Sequence, residues 1–269
     1  MKYTKKEVIQ KLKDLETKLG RRPFKTDNST LYGISRKYFG SWNKMMLEAG
    51  YVCKPFQVPN IPQKFTEEVY YFLGLLSTDG HIQAVPDRWV YRVMIYTSEK
   101  EEVEIILKLI YSLFEYNATV KERKTGFSKR QNYEIYISSK PVAEFLHHLG
   151  IPYGSKSYNL VVPSVILKNK EDIFWHYLRG VFDGDGSIIF SKHNHIFKIT
   201  SGSLKFLEGL QQIMINKGFS KTKVSKQTGS TWELRINNLE DIKKIYQLIY
   251  KNATYFYPRK KLKWEKQYI

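Results

Sequence analysis

The feature that constrains this chain most is an internal near-repeat, Phe72-Leu-Gly-Leu-Leu-Ser-Thr-Asp-Gly80 and Leu178-Arg-Gly-Val-Phe-Asp-Gly-Asp-Gly186. Each copy is an apolar helical run ending in Asp-Gly, and the same order of elements follows both. After the first come strand-like alternation at 90–97, an apolar helix at 101–113, a strand at 133–138, a helix at 142–149 and the lysine-bearing loop Tyr153-Gly-Ser-Lys156. After the second come 195–200, 204–216, 232–237, 239–251 and the loop Tyr257-Pro-Arg-Lys260. Lys156 lies 77 positions beyond Asp79, and Lys260 lies 75 beyond Asp185. The expectation is an α+β fold, a pseudo-two-fold pair of αββαββα units at 65–167 and 168–269.

The N-terminal residues follow a different pattern. Val8, Ile9, Leu12, Leu15 and Leu19 recur at helical spacing behind Thr4, with Glu7 three positions on, and Gly20 stops the run. Shorter helical stretches follow at 30–38 and at 42–49, the latter capped by Ser41 and closed by Gly50. A small three-helix domain at 1–54 is predicted. Pro55, Pro59 and Pro62 deny helix or central strand to the next stretch, so 55–64 reads as a linker.

Charge narrows the partner. Lys and Arg number 44 against 26 Asp and Glu, a net charge of +18, which points to a polyanion. The bases are spread along the chain among Tyr, Asn and Thr, as a nucleic-acid binder requires and a membrane-surface helix does not. A basic composition inherited from a lysine-rich, AT-biased genome is the alternative. The single cysteine, Cys53, permits no intrachain disulfide and no cysteine-based zinc site, and no signal peptide or membrane span is visible. A cytoplasmic, non-secreted, monomeric protein is expected, nucleoid-associated in a bacterial or phage-infected cell.

Glycine within a helix costs about 1 kcal/mol relative to alanine, so Gly74 and Gly180 at matching positions call for a compensating contact. Backbone-to-backbone packing of the two motif helices supplies it and brings Asp79 and Asp185 side by side. Each carboxylate then sits at the negative end of a helix dipole and repels the other. A hard divalent cation between them, its oxygen shell completed by a phosphate, would remove both penalties. A calcium loop starting at Asp183 fails, because its twelfth position is Asn194 rather than a bidentate Glu. The six histidines, His147, His148, His193 and His195 among them, are not spaced for zinc.

The two stretches resemble the paired signatures of LAGLIDADG homing endonucleases in single-chain form, and residues 65–269 match that family's layout throughout. The resemblance implies a saddle that binds double-stranded DNA at a long asymmetric site and hydrolyses one phosphodiester in each strand, leaving short 3′ overhangs. It implies that Asp79 and Asp185 hold Mg²⁺ or Mn²⁺, with Lys156 and Lys260 as the basic residues near the reacting phosphates. Asp183 fills the earlier acid position of the second motif, where the first motif has Ser77, and this weakens any catalytic role for Asp183.

Strands expose every second side chain to a major groove. Thr231, Glu233, Arg235 and Asn237 are expected to face outward, with Trp232, Leu234 and Ile236 inward; Arg92 and Tyr96 share one side of the first unit. Lys121, Arg123, Lys124, Lys221, Lys223 and Lys226 lie near strand ends, within reach of phosphates. The N-terminal stretch, through Leu19-Gly-Arg-Arg-Pro23, Tyr38-Phe-Gly-Ser-Trp-Asn43 and Glu48-Ala-Gly50, resembles the homing-endonuclease-associated repeat. That implies an accessory DNA-binding unit with Arg21, Arg22, Lys25, Arg36, Lys37 and Lys44 on phosphates and Trp42 in the core. A maturase binding host intron RNA and a non-cleaving DNA-binding regulator are the competing functions. An intein is disfavoured by Met1 and by an ending, Lys266-Gln-Tyr-Ile269, without His-Asn.

Overall fold

A computed structural model of the chain describes residues 3–52, 57–124, 131–167, 173–191 and 194–268. Cys53, Pro55, His193 and the side chain of Lys124 lie outside the described residues. The chain divides into two units, Met1–Gln57 and Val58–Ile269.

In the smaller unit every helix is bounded by its own sequence. Helix α1 (Lys5–Leu19) opens on a capping box between Thr4 and Glu7 and closes on Gly20, whose φ of 63° is left-handed. Asn28 caps α2 (Ser29–Phe39), and Ser41 caps α3 (Trp42–Glu48). Val8, Leu12, Leu31, Phe39, Trp42, Met45 and Met46 form the core.

The larger unit runs through α4 (Glu67–Thr78), β1 (Gly80–Val85), β2 (Val90–Thr97), α5 (Lys100–Phe114), β3 (Thr119–Lys124), β4 (Gln131–Ile137) and α6 (Lys140–His148). After the short α7 (Ser164–Leu167) the order returns: α8 (Ile173–Asp185), β5 (Gly186–Phe190), β6 (His195–Ser201), α9 (Leu204–Asn216), β7 (Lys223–Lys226), β8 (Trp232–Ile236) and α10 (Leu239–Tyr250). A terminal helix, α11 (Pro258–Tyr268), follows. Each half carries one antiparallel four-stranded sheet, ordered β1-β2-β4-β3 and β5-β6-β8-β7. Alternation places Val93, Ile95, Ile135 and Ile137 of the first sheet, and Phe197, Ile199, Leu234 and Ile236 of the second, in one continuous core with the helices. Among the described residues no helix is long and apolar enough to cross a membrane.

One departure bears on function. Lys260 is not in a loop but in the first turn of α11, because Pro258 sits where a missing N–H is harmless and a fixed φ favours the helix.

The halves meet along α4 and α8. A Cβ on Gly74 would lie 2.2 Å from the carbonyl oxygen of Tyr177, and one on Gly180 would lie 2.2 Å from that of Tyr71. Only glycine allows this approach. Two pseudo-symmetric side-chain contacts flank it: the Ser77 hydroxyl lies 2.9 Å from the Tyr177 hydroxyl, and Tyr71 donates to Asp183 Oδ2 at 2.7 Å. Replacing Gly180 by Ala forces a methyl group onto a backbone that cannot yield cheaply. We expect Gly180→Ala to destabilise the larger unit by about 3 kcal/mol in urea unfolding, the upper part of the usual overpacking range; an unchanged midpoint would contradict the contact.

Candidate active site and nucleic-acid interface

The motif helices end together, which fixes the two acids. Asp79 is the C-cap of α4, and its carbonyl accepts from the Tyr96 amide at 3.1 Å, tying it to the end of β2. Asp185 is the last residue of α8. A Cβ on Gly184 would lie 3.1 Å from Asp79 Oδ2 and 2.0 Å from Thr78 Oγ1, so the second motif's inner glycine makes room for the first motif's acid. The sequence reading missed Gly184; its Asp-Gly-Asp-Gly context was the available signal.

Burial first, and the Asp185 charge second, push the Asp79 carboxyl from 3.8 up to about 7, against the pull of Lys156 and Lys260. Asp185 is open to solvent by surface area, yet the surrounding protein mass still raises its carboxyl while the same two lysines lower it. Asp183, fully buried, is pushed up to about 7 by desolvation, opposed by hydrogen bonds from Tyr71 and from the Tyr257 amide at 2.8 Å.

Each predicted lysine folds back onto the end of its own motif helix. Lys156 Nζ donates to the carbonyls of Leu76 and Thr78, the latter at 2.8 Å. Lys260 Nζ donates to the carbonyls of Gly186 and Gly184, the latter at 3.4 Å. A cation at a helix C-terminus is favoured by the dipole and satisfies the last carbonyls. Burial lowers Lys156 from 10.5 to about 8, with Asp185 and Asp79 opposing; it lowers Lys260 as well, and Arg259 adds to that. Arg259 itself turns away to buried Glu102 of the other half, Nε to Oε1 at 2.6 Å, and Thr97 also donates to Glu102. This link between halves, one residue from Lys260, was not anticipated, because Glu102 reads as an ordinary first-turn acid.

Arg92, Lys121, Arg123, Lys223 and Arg235 share the sheet faces of Glu134 and Glu233, opposite the core, whereas Lys226 pairs with the inward Trp232, Lys221 precedes β7 and Asn237 follows β8. Lys121, Arg123, Lys221, Lys223, Lys226 and Asn237 are exposed, while Arg92 and Arg235 are half-buried. Arg92 and Lys121 both lie over the Tyr136 ring, 5.4 and 5.2 Å from its centroid. Glu233 does not stand out from its face as expected: it is 1% exposed, sunk between Arg235, whose Nε is 2.9 Å from Oε1, and Lys198 at 3.8 Å. Glu134, equally buried, occupies the corresponding place in the first sheet and pairs with Arg123. A carboxylate on a sheet crowded with bases sinks because pairing offsets its desolvation. At the β1–β2 hairpin tip Trp89 is 79% exposed, with Lys140 5.4 Å over its ring, an addition to the interface that sequence patterning did not single out.

In the smaller unit Lys25, Arg36, Lys37 and Lys44 are exposed. Arg21 is committed to Asp27 through two hydrogen bonds of 2.8 and 2.9 Å, and Arg22 donates to the Val52 carbonyl at 2.8 Å, so both guanidinia also brace the fold. Trp42 is in the core.

The raised Asp79 carboxyl has a stability consequence. A carboxyl that binds its proton more tightly when folded contributes most below its unfolded value, near pH 4, and that contribution is lost as pH rises through about 7. In chelator, Asp79→Asn should therefore be more stable than the parent chain at pH 8, by about 2 kcal/mol after allowance for partial solvation, with the advantage gone by about pH 4. Chemical denaturation at both pH values checks this; a less stable variant at pH 8 would show that Lys156 and Lys260 outweigh desolvation.

Residues 66–150 and 175–250, more than half of the chain, match the LAGLIDADG-like domain family, and residues 3–52 match the homing endonuclease associated repeat. Among curated relatives the chain is 32% identical over 126 residues to MJ1054 of Methanocaldococcus jannaschii, covering 45% of this chain and 14% of that protein's length. It is 25% identical over 187 residues to the homing endonuclease I-ApeI of Aeropyrum pernix, covering 67% of this chain and 80% of that one. Its fold is similar to the homing endonuclease I-WcaI bound to its DNA recognition sequence, with TM-score 0.53, 15% identity, 73% of this chain and 85% of the other. It is also similar to I-DmoI in complex with DNA and Ca, with TM-score 0.52, 15% identity, 74% of this chain and 97% of the other. Two αββαββα halves joined at their motif helices, with the repeat ahead of them, make this chain a member of the LAGLIDADG family that carries both motifs in one polypeptide.

Proposed function

We propose that the chain is a site-specific endonuclease that binds a long asymmetric stretch of double-stranded DNA and hydrolyses one phosphodiester in each strand with a divalent metal. The observation that carries this reading is the meeting of two carboxylates from separate halves, each beside its own lysine, at the junction of two base-rich sheets. I-WcaI, of similar fold, is described bound to its DNA recognition sequence, and I-DmoI in complex with DNA and Ca.

The donor set suits a hard divalent cation. Asp79 and Asp185 offer carboxylate oxygens whose ionised forms are penalised by desolvation and, for Asp79, by the neighbouring charge, so a dication held by both would relieve what the protein leaves unbalanced. Among the described residues no cluster of three or more His, Cys, Asp or Glu surrounds them, which leaves further oxygens to come from backbone and phosphate. Mg²⁺ or Mn²⁺ held by Asp79 and Asp185 would supply Lewis acidity to the scissile phosphate.

The chain's own residues do the rest. Lys156 and Lys260 carry positive charge to the ends of the motif helices, where it stabilises negative charge growing on the reacting phosphates. Arg92, Lys121, Arg123, Lys124, Lys221, Lys223 and Lys226, on or beside the strands, hold phosphates, while Arg235 and Asn237 reach base edges. Lys25, Arg36, Lys37 and Lys44 of the N-terminal unit add further phosphate contacts, with Arg21 and Arg22 contributing from braced positions.

A plasmid carrying the target should be linearised by the purified chain in Mg²⁺ and left intact in excess chelator. Asp79→Asn or Asp185→Asn should abolish double-strand cutting by about 10³-fold or more, the scale of a lost electrostatic centre, with binding retained. Cutting that persists in chelator contradicts the metal, and selective binding of RNA over duplex DNA contradicts the substrate. Removal of residues 1–55 should weaken binding and flatten its dependence on salt by about one unit of slope per lost phosphate contact; an unchanged slope would sink the role given to the N-terminal unit.

A further inference from the structure

Asp183 is the buried acid that the metal site does not use. It is fully buried in α8, and one oxygen, Oδ2, accepts from two partners: the Tyr71 hydroxyl of the opposite motif helix at 2.7 Å and the Tyr257 amide at 2.8 Å. Tyr257 is the residue that launches α11, and its carbonyl accepts from the Lys260 amide at 3.0 Å. The Lys260 ammonium then returns to the carbonyls of Gly184 and Gly186, on either side of Asp185. The contacts close a ring that begins and ends at the tip of α8.

The first half is built differently. Ser77 stands at the place of Asp183, and its hydroxyl donates to the Leu73 carbonyl at 2.8 Å and meets Tyr177 at 2.9 Å. The segment before Lys156 is anchored instead to the sheet, by Gly154 donating to the Ile82 carbonyl at 2.8 Å and by Tyr153 stacking on His147 with centroids 3.9 Å apart. The pseudo-two-fold axis therefore relates the two lysines but not the devices that hold them.

We propose that Asp183 is a positioning residue that sets the Lys260 ammonium through Tyr257, so that cutting of one DNA strand depends on it and cutting of the other, served by Lys156, does not. The assignment rests on the nuclease reading. Serine at this position reaches Tyr71 at most, as Ser77 reaches Tyr177, whereas asparagine can place its amide oxygen where Oδ2 lies and accept both bonds.

The test compares the full chain with Asp183→Ser, Asp183→Asn and Lys260→Ala on a target plasmid with each strand read separately, together with hydrogen exchange of the Tyr257 and Gly154 amides. With Asp183→Ser one strand should be cut about tenfold or more slower, as expected when a charged group is displaced by a fraction of an ångström or more. The other strand should keep its rate, so nicked circles accumulate. Lys260→Ala should slow the same strand, and adding Asp183→Ser to it should change nothing further. Asp183→Asn should restore the parental strand balance. The Tyr257 amide should exchange about a hundredfold faster in Asp183→Ser while Gly154 keeps its protection, which shows that the fold survives. Equal slowing of both strands, additivity with Lys260→Ala, or unchanged exchange at Tyr257 overturns the assignment alone. A parent chain that cuts neither strand overturns the nuclease reading and this assignment with it.

Discussion

Everything in the larger unit depends on two glycines allowing two helix backbones to touch. With Gly74 over Tyr177 and Gly180 over Tyr71, no side chain separates α4 from α8 at their crossing, and the helix ends arrive together instead of about a side chain's width apart. The acids at those ends are thereby brought into one electrostatic environment. The same approach lets Tyr71 and Tyr177 reach across the interface, so packing and polar contacts reinforce one geometry. An interior helix glycine is unfavourable by itself; here the gain from close contact along two largely apolar helices offsets it.

The charge arrangement follows from that geometry. Asp79 and Asp185 sit where the helix dipoles, the low local polarity and, for Asp79, the opposite acid all disfavour the anion, and two lysines only partly compensate. Each lysine is meanwhile occupied with the carbonyls at the end of its own helix, so it serves as a helix cap as well as a counter-charge. A structural unit would be expected to neutralise such a centre with apolar residues. This one keeps two acids and two lysines where the motif helices end, the lysines only partly offsetting what burial costs the acids.

Much of this was legible in the sequence because the motif itself encodes it. The matched glycines, the matched Asp-Gly endings and the lysines at nearly equal distance specify two halves, their contact and the four groups at the centre. Period-two alternation at Val90–Thr97 and Trp232–Ile236 marked the strands correctly for the same reason: one face of each is buried. What escaped was long-range pairing. Nothing near Glu102 in sequence announces Arg259, and nothing near Glu233 shows that Lys198 and Arg235 converge to draw it into the sheet. Arg21 also pairs with Asp27, six residues on, a contact reached only once the turn after α1 forms. Lys260 parallels the loop residue Lys156 in sequence but is helical, because Pro258 is a helix start signal.

The central claim is that Asp79 and Asp185 share a cation. Anomalous diffraction from the chain crystallised with Mn²⁺ and its target duplex measures this directly. The account predicts a manganese peak ligated by one oxygen from each aspartate at the meeting point of α4 and α8. Manganese bound to only one of the two, or held elsewhere with the aspartates apart, would contradict it.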